Sequence, residues 1–202
     1  MIPFPLYKEP DIDVITDLSV LNNIEEEFAW DIETNSIKSN SKESEIISYA
    51  IADTADHAYV FLAPTDPMNI SILKHLLKNS RIGKYGHNIK FESNWVFNKL
   101  GVEVKNWQWD SMIAAHTLDN REGITSLKIQ TLLNFGVYDY SSAVEPYLKG
   151  TNNDRGANSI NRIKELFDVE GGIDMLLKYN AMDAVFTYRL CKLQMTEIIL
   201  PF

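Results

Sequence analysis

The stretch Phe28-Ala29-Trp30-Asp31-Ile32-Glu33-Thr34-Asn35 begins as an apolar, strand-forming run and turns acidic at its end. Side chains alternate across a strand, so Ala29, Asp31 and Glu33 share one face while Trp30 and Ile32 share the other. Carboxylates placed this close repel one another, and ionised groups resist burial without a partner. A hard divalent cation is such a partner, because Mg²⁺ takes oxygen ligands and binds through carboxylates together with substrate phosphate. With 28 acidic residues in 202, an Asp-x-Glu pair is also expected about once by chance. Asp168-Val169-Glu170 is a second match, but it runs into Gly171-Gly172 with no apolar strand before it, so only the first pair is kept.

A late helical face supplies a third carboxylate. Positions 176, 179, 183, 186 and 190 follow the spacing of one helical side and read Leu176, Tyr179, Asp183, Phe186 and Leu190. An unpaired aspartate inside that stripe would be costly or neutralised, so Asp183 calls for a metal or a cation. A helix cap or a salt bridge is the plainer alternative. A fourth carboxylate lies in Gly86-His87-Asn88-Ile89-Lys90-Phe91-Glu92. Asn88 stands at a helix start, where it can cap or reach a ligand, and Glu92 borders that helix's apolar face. The plainer reading of Glu92 is a first-turn acid favoured by the helix dipole. His87 reads as a surface or core histidine.

The elements that must hold these residues follow from patterning. Residues 1–20 are Pro- and Asp-rich and read as an extended lead-in, followed by a short helix near Leu21–Glu26. Strands are predicted at Phe28–Glu33, Ile46–Ala52, His57–Leu62, Arg81–Tyr85 and Trp107–Asp110, the second and third forming a hairpin. Helices are predicted from Asn69 or Ser71 to Asn79, and from Gly86-His87-Asn88 to Leu100, ended by Gly101. Further helices are read at Ser111–Asp119, Thr125–Asn134, Ile160–Phe167 and Ile173–Ile199, with an irregular loop at Gly150–Ser159. Hairpin and βαβ patterns together favour an α/β or α+β sheet of about five strands, flanked by helices.

Composition bounds the class. At 45% hydrophobic and 23% charged, this is a soluble globular composition with enough chain for one sizeable core, read as a single domain over 1–202. The chain has no run of about 18 apolar residues, and the start lacks a secretory pattern, so a cytoplasmic, intracellular setting with no membrane is expected. The single cysteine, Cys191, excludes an internal disulfide framework and a multi-Cys zinc site. The net charge of −9 argues against a nucleic-acid partner, but its distribution does not. Residues 1–56 hold 3 basic and 13 acidic side chains, whereas residues 57–105 hold 7 and 3. That basic middle, with Lys74, Lys78, Arg81, Lys84, Lys90, Lys99 and Lys105, could face phosphates, and metal ions can locally reverse an acidic field.

In this order the motifs resemble the DEDD, or DnaQ-like, superfamily of 3′–5′ exonucleases in its tyrosine-bearing branch. Trp-Asp-Ile-Glu-Thr-Asn-Ser at 30–36 is similar to the first motif, Gly-His-Asn-Ile-Lys-Phe-Glu at 86–92 to the second, and Tyr-Asn-Ala-Met-Asp at 179–183 to the third. Trp-Asp-Ser-Met-Ile-Ala-Ala-His at 109–116 resembles a segment of the proofreading domains of family A DNA polymerases. The resemblance covers roughly residues 25–198 and departs at Glu92, where the family has Asp. A side chain one methylene longer displaces a tight metal contact by about an ångström, which would cost rate.

The resemblance implies a ribonuclease H-like mixed sheet with an exonuclease core at 25–198 and a lead-in at 1–24. It implies two divalent cations, Mg²⁺ with Mn²⁺ able to substitute, acting on both sides of the reacting phosphate. Asp31 would bridge them, Glu33 and Asp183 would complete one site, and Glu92 would serve the second. Tyr179 would orient the attacking water rather than act as a base, given a phenol's ordinary pKa of about 10. Thr34 and Asn88 would contact the terminal nucleotide, Ile37 would wedge against its base, and Tyr138 or Tyr140 could stack on it. The implied substrate is a single-stranded or frayed DNA 3′ end, released as nucleoside 5′-monophosphates in proofreading, replication or repair. A polymerase domain or subunit, in cis or in trans, is the implied partner. Met1 and the ending at Leu200-Pro201-Phe202 suit a freestanding enzyme or the first part of a longer chain. An RNase D-like RNA 3′-end exonuclease and a catalytically weakened nucleic-acid- or partner-binding module of the same fold are the rival readings.

Overall fold

The computed structural model describes residues 8–150 and 160–199. The loop read at Gly150–Ser159 falls, beyond Gly150, outside the described residues, as do the first seven residues of the lead-in. Among the described residues, six strands form one mixed sheet in the order β1-β4-β3-β2-β5-β6. They are β1 (Asp11–Val14), β2 (Glu27–Thr34), β3 (Ile46–Thr54), β4 (His57–Leu62), β5 (Gly83–Gly86) and β6 (Trp107–Asp110). The β2-β3-β4 meander is antiparallel, while β5 and β6 add parallel on one side and β1 adds parallel to β4 on the other. The helices are α1 (Pro67–Lys78), α2 (Ile89–Leu100), α3 (Ser111–Leu118), α4 (Leu127–Phe135), the short α5 (Glu145–Leu148) and the long α6 (Gly172–Ile199).

Alternation along β2 sorts its side chains between two different cores. Phe28, Trp30 and Ile32 join Tyr49, Ile51 and Phe61 against Leu73, Leu77, Trp95 and Val96, which puts α1 and α2 on one face. Each fully buried side chain of this size contributes about 1.5–3 kcal/mol. On the opposite face, Ala29, Ala50, Ala52 and Ala58 meet Leu177, Ala181, Ala184 and Val185 of α6. Small residues on both surfaces let this helix lie close against the strands. Asp31 and Glu33 follow Ala29 on the α6 side, which is how the sequence delivers them to Asp183.

The sixth strand is the departure from the expected five. Asp11–Val14, inside the stretch read as an extended lead-in, pairs with His57–Val60. It buries little of either face, so no hydrophobic pattern marks it. Three helix expectations shift as well. Asp66, not Asn69 or Ser71, caps α1 by accepting from the backbone N–H groups of Met68 and Asn69, with Pro67 as its first residue. Asn69 instead accepts from the Leu18 N–H at 2.9 Å, anchoring a 3₁₀ turn at Leu18–Asn23 where a helix at Leu21–Glu26 was expected. The segment expected to be helical at Ile160–Phe167 is a 3₁₀ turn over Ile163–Asp168. Gly86 makes the β5–α2 turn possible, since a Cβ there would meet Ile89 Cγ1 at 3.0 Å and the Trp107 ring at 3.1 Å. Gly101 ends α2 in the left-handed conformation, as expected. Among the described residues no helix is long and apolar enough to cross a membrane.

Candidate active site

The strand pairing leaves one end of β2 open. Pairing with β5 stops at Ala29↔Tyr85, while β3 continues opposite Asp31 and Glu33 through Ala50 and Ser48. Into the gap beside β5 comes the first turn of α2, carrying Glu92. From the α6 face comes Asp183. One oxygen from each of Asp31, Glu33 and Asp183 lies within 4.8 Å of the other two. These three, with Glu92, Asn88 and Tyr179, line a cleft of about 490 Å³. Asp31 is half-buried, whereas Glu33, Asp183 and Glu92 are 8%, 6% and 3% exposed.

The electrostatics of the cluster are unfavourable without a cation. Burial and then the Asp183 charge push the Asp31 carboxyl well above the ordinary range, against a hydrogen bond from Asn180. Glu33 is raised by burial and by both aspartates. Asp183 is raised by burial, with hydrogen bonds from Tyr140 and Tyr179 and the Lys128 charge opposing it. Glu92 is raised by burial and by Asp31, and its Oε2 is buried with no hydrogen-bond partner. Three converging carboxylates and a fourth with an orphaned oxygen suit hard divalent cations, which bind oxygen donors and remove the repulsion.

Neighbouring groups hold the acids in place. Asn180 Nδ2 donates to Asp31 Oδ2 at 2.8 Å, and Ser48 Oγ donates to Asn180 Oδ1 at 2.8 Å. Asp110, at the end of β6, caps two helices at once. Its carboxylate accepts from the N–H groups of Asn88 and Ile89 at 3.1 and 2.9 Å, and from Met112 at 2.9 Å. This clamp fixes the turn that presents Glu92. Asn88 therefore does not cap: it is in the left-handed conformation with no side-chain capping bond, and it lines the cleft. His87 bonds Ser111 Oγ through Nδ1 at 2.8 Å, and burial pulls its pKa down to about 4, so it is neutral.

Two other expected contacts lie off the cleft lining. Thr34 is buried, its hydroxyl donating to the Ser36 carbonyl at 2.8 Å. Ile37 is 68% exposed in the loop after β2. Tyr140 is not free to stack on a base: its hydroxyl donates to Asp183 Oδ1, and its ring packs on Phe186 at 5.1 Å. Tyr138, in contrast, is 81% exposed. Lys84 of the basic middle faces no phosphate, because it is fully buried and donates to the carbonyls of Asn79 and Ile82. Sequence reasoning missed Asn180, Asp110 as a clamp and Lys128, and it gave Tyr140 a stacking role instead of its bond to Asp183. Only Asn180 carried a signal, since it follows Tyr179 on the helix side turned toward the sheet.

Comparison with known proteins decides what this arrangement belongs to. A family model described as 3′-5′ exonuclease matches residues 13–199. The chain belongs to this 3′-5′ exonuclease family. It is an enzyme of the DEDD superfamily of 3′-5′ exonucleases. The chain is 25% identical over 198 residues to DNA polymerase I of Chloroflexus aurantiacus, covering 92% of this chain and 19% of that protein's length. The catalytic core of RRP6 from Trypanosoma brucei matches with a TM-score of 0.68 at 16% identity, over 97% of this exonuclease chain and 50% of that one. NrnC of Brucella melitensis, solved with bound Mg²⁺, matches with a TM-score of 0.58 at 17% identity, over 95% and 81%. At such identities these structures speak for the fold: the mixed sheet and its flanking helices are those of ribonuclease H-like exonucleases.

Proposed function

We propose that this chain removes nucleotides from the 3′ end of single-stranded or frayed DNA by two-metal hydrolysis, as a single domain acting with a polymerase in cis or in trans. The observation that carries the reading is the convergence of Asp31, Glu33 and Asp183 within 4.8 Å beside a Glu92 whose buried oxygen lacks a partner. Asp31, Glu33 and Asp183 would hold one ion and Glu92, with Asp31, a second, Mn²⁺ substituting for Mg²⁺. Bound there, the ions would lower the pKa of a water and offset charge on the leaving oxygen. Tyr179, hydrogen-bonded to Asp183 and held protonated by burial and the neighbouring acids, would position that water through its hydroxyl. This is the role of the tyrosine-bearing branch. Asn180 and Tyr140 would keep two of the carboxylates aimed into the cleft. Asn88 would meet the terminal nucleotide, with Thr34 and Ile37 at the rim.

The preference for DNA is supported by the polymerase relative and by the family match. The RNA reading is supported by the structures of RRP6 and of RNase D from Trypanosoma brucei with RNA U12. Matched 5′-labelled DNA and RNA strands incubated in Mg²⁺ separate the two. We expect stepwise shortening of the DNA from its 3′ end, abolished in Asp31→Ala and Glu33→Ala. Faster shortening of the RNA would overturn the DNA assignment, and an untouched pair in both Mg²⁺ and Mn²⁺ would leave only a binding module.

A further inference from the structure

Two carboxylates of the acidic cluster have one oxygen already taken. Asp183 Oδ1 accepts from the Tyr140 hydroxyl, and Asp31 Oδ2 accepts from Asn180 Nδ2 at 2.8 Å. Both donors are held from behind. The Tyr140 ring packs on those of Phe186 at 5.1 Å and Tyr179 at 6.1 Å. Asn180 is fully buried, and its own Oδ1 accepts from Ser48 Oγ at 2.8 Å, on a serine that is fully buried as well. An ionised carboxylate only accepts, so the amide must turn its nitrogen to Asp31 and its oxygen to Ser48. Glu33 has no such donor among the described residues.

We infer that Tyr140 and Asn180 set which cation the cluster accepts, favouring Mg²⁺ over Ca²⁺. The inference rests on the metal-dependent reading above and extends it. Mg²⁺ demands an octahedral shell of oxygens at about 2.0–2.1 Å and fills much of it with water and phosphate. Ca²⁺ takes about six to eight oxygens at about 2.3–2.6 Å, often both oxygens of one carboxylate. Turning both oxygens of Asp183 toward one ion would break its bond to Tyr140 and leave a half-buried phenol without its acceptor. Turning both oxygens of Asp31 would do the same to the buried Asn180 amide. Each aspartate is thus left a single oxygen for metal, fewer than Ca²⁺ prefers, while Mg²⁺ loses nothing. The choice of ion is made by carboxylate orientation, one layer behind the ion itself.

Calorimetric titration of the intact, metal-stripped chain with MgCl₂ and with CaCl₂ tests this. Tyr140→Phe keeps the ring against Phe186 and removes only the hydroxyl. We expect the ratio of the Ca²⁺ to the Mg²⁺ dissociation constant to fall about tenfold, the scale on which groups supporting a metal ligand act. The change should come chiefly from tighter Ca²⁺ binding. Asn180→Ala should move the ratio in the same direction, and it decides the matter should Tyr140→Phe fail to fold. If these groups only kept the cluster folded, their loss would weaken both cations by one factor. An unchanged ratio would therefore overturn the inference. Digestion of a 5′-labelled strand in Mg²⁺, run alongside, separates the two levels. An active wild type with an unchanged ratio in the variant removes the selectivity and keeps the nuclease reading. A wild-type chain that neither binds a cation nor shortens the strand would overturn both.

Discussion

Glu92 shows how one side chain ties stability to chemistry. Burial and the Asp31 charge raise its pKa above 4.5, so the folded chain holds the proton more tightly than the unfolded chain does. Stability of the metal-free protein is then lost as pH rises from about 4.5 through the raised folded value. Glu92→Gln should therefore raise the thermal midpoint at pH 8 more than at pH 5, while lowering the digestion rate about 100-fold. An equal shift at both pH values would mean that Glu92 is not strained by burial. Tyr179→Phe should lower kcat by a factor on the order of 10² without changing the fold, the scale for losing a group that positions a reactant. Asp183 was legible because it puts an acid inside an apolar helical stripe, and Asp31 with Glu33 because they end an apolar strand; Glu92, a first-turn acid by its own pattern, came from the resemblance. Lys128, Tyr140 and Asp110 were not legible, since an exposed-looking lysine, a loop tyrosine and a helix cap acquire their roles only from partners distant in sequence.

At the scale of elements, the fit of α6 against the sheet sets the distance between Asp183 and the β2 acids. Ala181 and Ala184 on the helix meet Ala29, Ala50, Ala52 and Ala58 on the strands, with every one of them fully buried. Ala184→Leu would overpack this contact, at a cost of about 1–3 kcal/mol. It should also push α6 outward and weaken metal binding beyond what the stability loss explains. Calorimetric titration with Mg²⁺ checks this, and unchanged affinity would argue that the helix does not set the spacing. The sequence made β2, the β3–β4 hairpin, α2 and α6 legible because their apolar periods are long and end in recognisable stops. It concealed β1, whose four residues bury too little to pattern, and it misplaced the α1 cap because Pro67 reads as a break until Asp66 is seen capping it.

Across the whole molecule, charge location matters more than the net −9. Three of the seven cations of the basic middle read at 57–105 are engaged by the protein itself: Lys84 is buried, Lys99 Nζ bonds the Ser41 carbonyl and Lys105 pairs with Glu103. Positive charge at the cleft has to come from bound cations, with Lys128 beside them. A cation that binds only the folded chain stabilises it by about 2.7 kcal/mol at a hundred times its dissociation constant, so Mg²⁺ should raise the melting temperature of the wild type and not of Asp31→Ala. The most direct test is anomalous diffraction from a crystal soaked in Mn²⁺. The account predicts a peak among the carboxylates of Asp31, Glu33 and Asp183; a crystal showing Mn²⁺ elsewhere and none among these three would contradict it.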